Sequence, residues 1–262
     1  MGIVEAVRMA LEALRGHKMR SALTLLGMVI GVFAIIVSVT AVSVIDVYFK
    51  ETLQFFGSST VSISKTSFIQ TGNRDRSLRN RPNITFEQVE RLEGMMQIPV
   101  TISPLNGFDI GKVVFQDRET EGNVQVLGSD ENMLANFSYE VDTGRFFTSD
   151  DVQYARPVCV LGSNLVGILF PNENPIKKIV KANGRRCEVI GTLKEKGNIF
   201  GFSQDDRIFI PITRGFVVYG GTNRNIDNVS VRVHNPVMIN AAIDELTGRL
   251  RVIRRVEPGD EN

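Results

Sequence analysis

Residues 21–45 read SALTLLGMVIGVFAIIVSVTAVSVI, 25 consecutive positions without a charged side chain. As a helix they extend roughly 37 Å, enough to cross a hydrocarbon layer of about 30 Å with some tilt. A cleaved secretory leader carries an apolar stretch of only about 7–15 residues, so the segment reads as a retained membrane helix. Its flanks give an orientation. Residues 1–20 carry Arg8, Arg15, Lys18 and Arg20 against Glu5 and Glu12, whereas Asp46, Lys50 and Glu51 follow the span. A basic bias beside the first helix places the N-terminus in the cytoplasm and everything past about residue 46 outside it, in a periplasm or at a cell surface.

Within the span, Gly27, Gly31, Ala34, Ser38 and Ala41 recur at steps of four and three, a continuous stripe of small residues. Such a groove lets a second helix approach closely, which predicts helix packing on this face. No ionisable residue interrupts the span, which argues against an ion or proton path through it. Upstream, Ile3, Val7, Ala10 and Leu14 fall on one helical face of residues 1–20. They predict an amphipathic helix in the membrane interface, either a plain anchor or an element that touches a cytoplasmic protein. Downstream, the apolar period continues through Ile45, Phe49, Leu53 and Phe56 to Gly57, a natural helix stop. The reading is one helix over Ser21–Phe56, roughly 54 Å long, divided into a span over 21–47 and a stalk over 48–58.

Residues 59–262 form the outer domain. Short β-branched or aromatic runs predict strands at Thr60–Ser64, Val113–Phe115, Val124–Leu127, Pro157–Leu161, Cys187–Leu193, Arg207–Ile212 and Val229–Val233. Thr85-Phe86-Glu87-Gln88 is a capping box for a helix to about Met96. Ser163 is placed to cap Asn164–Phe170, and Asn235 with Pro236 opens a helix to about Leu250. Without strict strand–helix alternation, the class is α+β. Gln70–Asn83, with Arg74, Arg76, Arg79 and Arg81, reads as a solvated loop, as does the Gly-rich Lys194–Asp206.

Composition excludes several functions. The balance of 30 Lys plus Arg against 29 Asp plus Glu argues against a nucleic-acid binder, whose phosphate contacts need a concentrated basic surface. The sequence has no G-x-x-x-x-G-K-[ST] loop and no G-x-S-x-G elbow, and a single outer histidine, His234, cannot build a multi-His zinc site. Asp150–Asp151 and Asp205–Asp206 read as solvated turn residues rather than catalytic dyads. No catalytic residue, cofactor or metal is expected. Cys159 and Cys187 lie in separate apolar strands and are read as two free buried thiols, although their compartment permits a disulfide.

The ordered set EALRGHKMRSALTLLGMVIGV, GRFFTSDDVQYARPVCVLGSNLVGILFPNENPIKK, EVIGTLKEKG and RIFIPIT resembles the permease part of MacB-type ABC transporters, within the FtsX/LolC-like superfamily. The resemblance implies an outer domain of two subdomains, one porter-like (about 59–125 and 214–255) and one inserted (about 126–213). It maps Gly144, Arg145, Phe146 and Phe147 onto the GRFF turn, Gly162 onto a VLG strand end, and Phe170 onto an LF pair. Pro175 falls on the P-[IV]-G-K element, Gly191 on VIG and Pro211 on IP, all as scaffold. Lys177 replaces the usual glycine of P-[IV]-G-K, so a different turn is expected there.

The same resemblance implies a non-hydrolytic subunit that pairs with itself or a related permease and works with a separate cytoplasmic ABC ATPase. A periplasmic adaptor protein and an outer-membrane channel are further implied partners, besides membrane lipid. ATP-driven movement of the helices and stalk would reshape the outer domains for efflux or export of a drug, peptide, toxin or lipoprotein. Family members carry three further membrane helices, so the chain is expected to be a fragment. The rival reading is a single-span receptor or adaptor with an outer binding domain.

Overall fold

The computed structural model describes residues 2, 5, 18–55, 59–65, 82–199, 202–220 and 224–256. The chain divides into two compact units, Met1–Leu53 and Gln54–Asn262. Helix α1 runs over Lys18–Phe55, most of it in the first unit, and starts slightly ahead of the expected position. Its Lys18–Ile45 stretch of 28 residues is long and apolar enough to span a membrane. Ala22–Ile45 are exposed throughout, so the helix has no partner within this chain among the described residues. Two polar side chains in the span, those of Thr24 and Ser43, bond to their own backbone. Thr24 Oγ1 donates to the carbonyls of Arg20 and Ser21 at 3.1 and 3.0 Å, and Ser43 Oγ to that of Val39 at 2.9 Å. That satisfies polar groups where lipid offers none. Ile3, Val7, Ala10 and Leu14 of the amphipathic lead lie outside the described residues.

The second unit is built on a mixed sheet. Strands β1 (Thr60–Ser64) and β2 (Ile84–Thr85) precede helix α2 (Phe86–Met95). The expected capping box is formed: the Thr85 hydroxyl accepts from Gln88 N–H, and the Gln88 side chain accepts from Thr85 N–H. Then follow β3 (Val100–Gly111), β4 (Val113–Phe115), β5 (Arg118–Glu119), β6 (Val124–Ser129), α3 (Met133–Phe137), β7 (Val141–Gly144) and α4 (Ser149–Gln153). After these come β8 (Val158–Leu161), α5 (Ser163–Leu169), β9 (Ile179–Ala182), β10 (Arg185–Leu193), the hairpin β11 (Asn198–Ile199) and β12 (Phe202–Ser203), and β13 (Arg207–Pro211). The chain closes with α6 (Ile212–Val218), β14 (Asn225–Ile226), β15 (Asn228–Val233), a 3-10 turn Pro236–Met238 and α7 (Ile239–Arg254).

Eleven strands join in the order β1-β15-β3-β6-β13-β8-β10-β9-β4-β5, with β7 also on β10. β13–β6 and β10–β8 are parallel; the remaining pairs of this sheet are antiparallel. This is the α+β arrangement read from the sequence. Side chains alternate across a strand. Along β8, Val158 and Val160 therefore enter one buried cluster, Cys159 and Leu161 the other. Along β13 the same division separates Phe209 from Ile208 and Ile210. The first cluster is covered by α2 and α7 through Val89, Leu92, Leu246 and Leu250. The second is closed by α5 through Leu165 and Leu169, each worth roughly 2 kcal/mol of burial.

Several expectations are corrected. Ser163 is the first residue of α5 rather than its cap; Gly162 holds the cap position and makes no side-chain bond. The Asn235 side chain does cap, accepting from Val237 N–H at 3.1 Å, but it caps the 3-10 turn, and α7 runs on to Arg254. Lys194–Asp206 contains the β11–β12 hairpin. Of Gln70–Asn83, only Pro82 and Asn83 are among the described residues. β3 escaped the sequence reading because Pro104, Asn106 and Gly107 interrupt its apolar alternation. It carries an irregularity at Gly107–Asp109, where Phe108 is left over against β6.

The cysteines are the largest correction. Cys159 and Cys187 sit on the adjacent parallel strands β8 and β10 with Cα atoms 5.7 Å apart, and they form a disulfide. Strand neighbourhood, which composition does not reveal, brings them within bonding reach. The cross-link closes a 28-residue separation, worth about 3–4 kcal/mol on a chain-entropy account. Reduction, or Cys159→Ala with Cys187→Ala, is expected to lower the outer unit's unfolding free energy by about 3 kcal/mol. Denaturant unfolding with and without reductant checks this; identical midpoints mean that the bond is absent.

Candidate functional site

The residues assigned to the GRFF, VIG and P-[IV]-G-K elements, scattered over Gly144–Gly191, converge at one junction. Gly144 ends β7 with φ +83°, a conformation open to glycine and strained for other residues. A Cβ there would meet the Ile190 carbonyl, and one on Gly191 would meet the carbonyl of Arg145. These close approaches let Arg145 N–H donate to Ile190 C=O at 3.0 Å. Phe146 and Phe147 then turn into the first buried cluster, ring centroids 4.4 Å apart.

The Arg145 side chain locks the junction. Its Nη1 donates to Asp151 Oδ2 at 2.6 Å and to the Phe146 carbonyl at 2.9 Å. Arg156 Nη1 reaches Asp151 Oδ1 at 3.3 Å. Asp151 occupies the third position of α4, receiving the Thr148 N–H and hydroxyl at 3.0 Å each. Burial alone would raise the Asp151 carboxyl. The Arg145 hydrogen bond, the Thr148 donors and the Arg145 charge outweigh it and bring the carboxyl to about 2. Asp151 is thus a buried structural ion and not the solvated turn residue expected. The Thr148-Ser149-Asp150-Asp151 spacing is itself a readable capping signature.

The neighbouring turn, where Lys177 stands at the glycine position of the family pattern, is closed by backbone bonds. Lys178 N–H donates to the Pro175 carbonyl at 3.1 Å, and Lys177 N–H to that of Val189 at 2.7 Å. Lys177 has φ +65°, so it adopts the left-handed conformation that the usual glycine would supply. The lysine bears the steric cost of that conformation.

The other assigned positions serve separate joints. Gly162 lies so close to the Asp205 carbonyl that a Cβ would collide with it. Asp205 is also buried, against expectation, because its carboxylate accepts from Lys196 and Gly197 N–H at 2.9 and 2.7 Å. Phe170 packs its ring 4.4 Å from that of Phe115, and Pro211 ends β13 where α6 begins. On α1, Gly27, Gly31, Ala34, Ser38 and Ala41 are all exposed, and a Cβ on Gly27 or Gly31 would meet nothing within 4 Å. The side chains of Phe49 and Leu53, and the whole of Phe56, lie outside the described residues. Among the described residues, no group of three or more His, Cys, Asp or Glu could hold a metal ion.

Residues 21–249 match the sequence model of a family described as MacB-like periplasmic core domain. The chain belongs to that family. The match includes most of the apolar helix as well as the sheet. A relative named macrolide export ATP-binding/permease protein MacB, from Azoarcus sp. (strain BH72), is 28% identical over 97% of this chain and 38% of its own length. An uncharacterized ABC transporter permease, YknZ of Bacillus subtilis (strain 168), is 27% identical over 92% of this chain and 59% of its own length. The chain thus spans less than two thirds of either relative. The crystal structure of the periplasmic region of MacB from Actinobacillus actinomycetemcomitans shares the fold at a TM-score of 0.64 and 23% identity, over 78% of this chain and 88% of that one.

For the MacB-like outer unit, the Asp151 junction gives a pH signature. The carboxyl titrates at about 2 when folded, against an ordinary 3.8. Its stabilisation is therefore complete above pH ~4 and is lost as pH falls through about 2. Asp151→Asn is expected to cost about 1–3 kcal/mol at neutral pH, discounted because both arginines are half-exposed. It should also flatten the acid limb of stability. Urea midpoints across pH 2–7 for both proteins check this, and an unchanged acid limb means that Asp151 carries no net ion pair.

Proposed function

We propose that this chain is the membrane-anchored, extracytoplasmic part of a non-hydrolytic ABC transporter permease, working with a cytoplasmic ABC ATPase on a separate chain. The observation that carries the reading is the single family match running unbroken from the apolar helix into the sheet. The absence of a phosphate-binding loop in the sequence supports placing ATP hydrolysis elsewhere. The basic bias of residues 1–20 supports a cytoplasmic N-terminus and an outer unit beyond the membrane. The disulfide supports the same orientation, since such bonds persist in oxidising compartments.

In this reading the outer unit divides into a porter-like part, about 59–125 and 214–255, and an inserted part, about 126–213. The second buried cluster around Leu165, Leu169, Val180 and Val189 supports a separate inserted core, with Val113, Phe115 and Val124 contributed across the boundary. ATP binding would move the membrane helices and stalk and so change the outer unit's shape, driving efflux or export. The adaptor and the outer-membrane channel belong to the same proposal.

The small-residue face of α1 is proposed as the contact with a second permease helix. Gly31→Leu tests it, because a Cβ there meets no other part of the described residues within 4 Å. In the full-length transporter the substitution is expected to abolish membrane cross-linking between copies and to reduce export at least about tenfold, while the outer unit keeps its unfolding midpoint. Retained cross-linking and export remove the stripe as an interface. Separately, purification from native membranes in mild detergent is expected to bring down an ABC ATPase. Recovery without one removes the coupling and favours the single-span receptor or adaptor.

A further inference from the structure

A cleft of about 430 Å3 opens at one end of the sheet, lined by Ser59, Thr101, Ala135, Arg232, His234 and Pro236. Its polar groups are set by strand geometry. Arg232 lies on β15, facing away from the fully buried Val231 and Val233, and His234 directly follows the last residue of that strand; both line the cleft. Arg232 stands in a cross-strand row with Thr60 of β1 and Thr101 of β3. The earlier part of this face is covered by α3, where Asn136 Nδ2 donates to the carbonyls of Thr101 and Ser230 at 2.9 and 2.8 Å.

Backbone bonds fix the rim: Val233 N–H donates to Ser59 C=O at 2.8 Å, and His234 N–H to Pro99 C=O at 3.2 Å. Arg232 Nη1 donates to the Ala135 carbonyl at 3.0 Å, which holds the guanidinium plane in place without neutralising it. Among the described residues, Arg232 has no carboxylate partner. His234 Nε2 lies 2.8 Å from Thr101 Oγ1, which orients the ring.

The chemistry of this lining is one-sided. It offers a guanidinium, an imidazole and two hydroxyls, and no carboxylate. Such a set suits an anion, and a planar guanidinium with free N–H groups suits the paired oxygens of a phosphate. We infer that the cleft formed by Ser59, Thr101, Arg232 and His234 binds a phosphate group, carried either by a lipid headgroup or by free phosphate. The site is independent of whether the protein serves transport.

The chain contains two histidines, so imidazole NMR resonances report the site with His17 as an internal control. The full chain in a phosphate-free maltoside detergent is titrated first with inorganic phosphate and then, in a fresh sample, with phosphatidylglycerol, against chloride of equal ionic strength. Saturable shifts of His234 alone are expected, with Arg232→Gln weakening the midpoint about tenfold or more and Arg232→Lys less. Arg232 is exposed, so both variants should keep the wild-type amide spectrum; Thr101→Val gives a second probe with the arginine intact. Response to inorganic phosphate identifies free anion as a ligand, and response only to the lipid identifies the headgroup. No saturable shift in either arm, or one that Arg232→Gln leaves unchanged, overturns the site.

Discussion

Strand β8 has no face toward water. Val158, Cys159, Val160 and Leu161 are all buried, so the sheet at this point must be covered on both sides. The rest of the outer unit follows from that requirement. Helices α2 and α7 with the Phe146–Phe147 pair lie over one side, and α5 with strands β9 and β4 closes the other. The disulfide ties β8 to β10 at the centre of this doubly covered region. It adds a constraint on the unfolded chain where packing already fixes the folded one.

Close backbone approach is the second constraint. Gly144 and Gly191 are needed where two carbonyls would otherwise collide with a Cβ, and their absence of side chains lets the Arg145 backbone dock on β10. Arg145 then brings its guanidinium to Asp151, whose carboxylate is buried with its donors supplied by Thr148, the cap of α4, and by two arginines. A buried charge is tolerated here because each oxygen has partners. The Lys177 turn shows how firmly the surroundings dictate backbone: the residue is left-handed although its side chain is not glycine.

The two units rest on different physics. The outer unit stands on burial within its own chain. Helix α1 leaves Ala22–Ile45 exposed among the described residues, and Thr24 and Ser43 turn their hydroxyls back on their own backbone. Its apolar surface requires lipid or another helix.

Much of this was legible in the sequence. The membrane span, the capping box at Thr85, the seven strand cores and the mixed class depend on local period and local hydrogen bonding, which neighbouring residues specify by themselves. Position β3 was not legible, because Pro104 and Gly107 obscure its alternation and its pairing with β15 and β6 supplies what local preference lacks. The burial of Asp151 and Asp205 was hidden for a similar reason: adjacent acids look solvated until distant donors are brought to them. The sequence by itself determined where the chain can cross a membrane and which runs can be strands. Only the tertiary structure decided that Cys159 meets Cys187, that Arg145 meets Asp151, and that Arg232 and His234 share one cleft. Those outcomes depend on strand order and register, and long-range pairing leaves no trace in local residue periodicity.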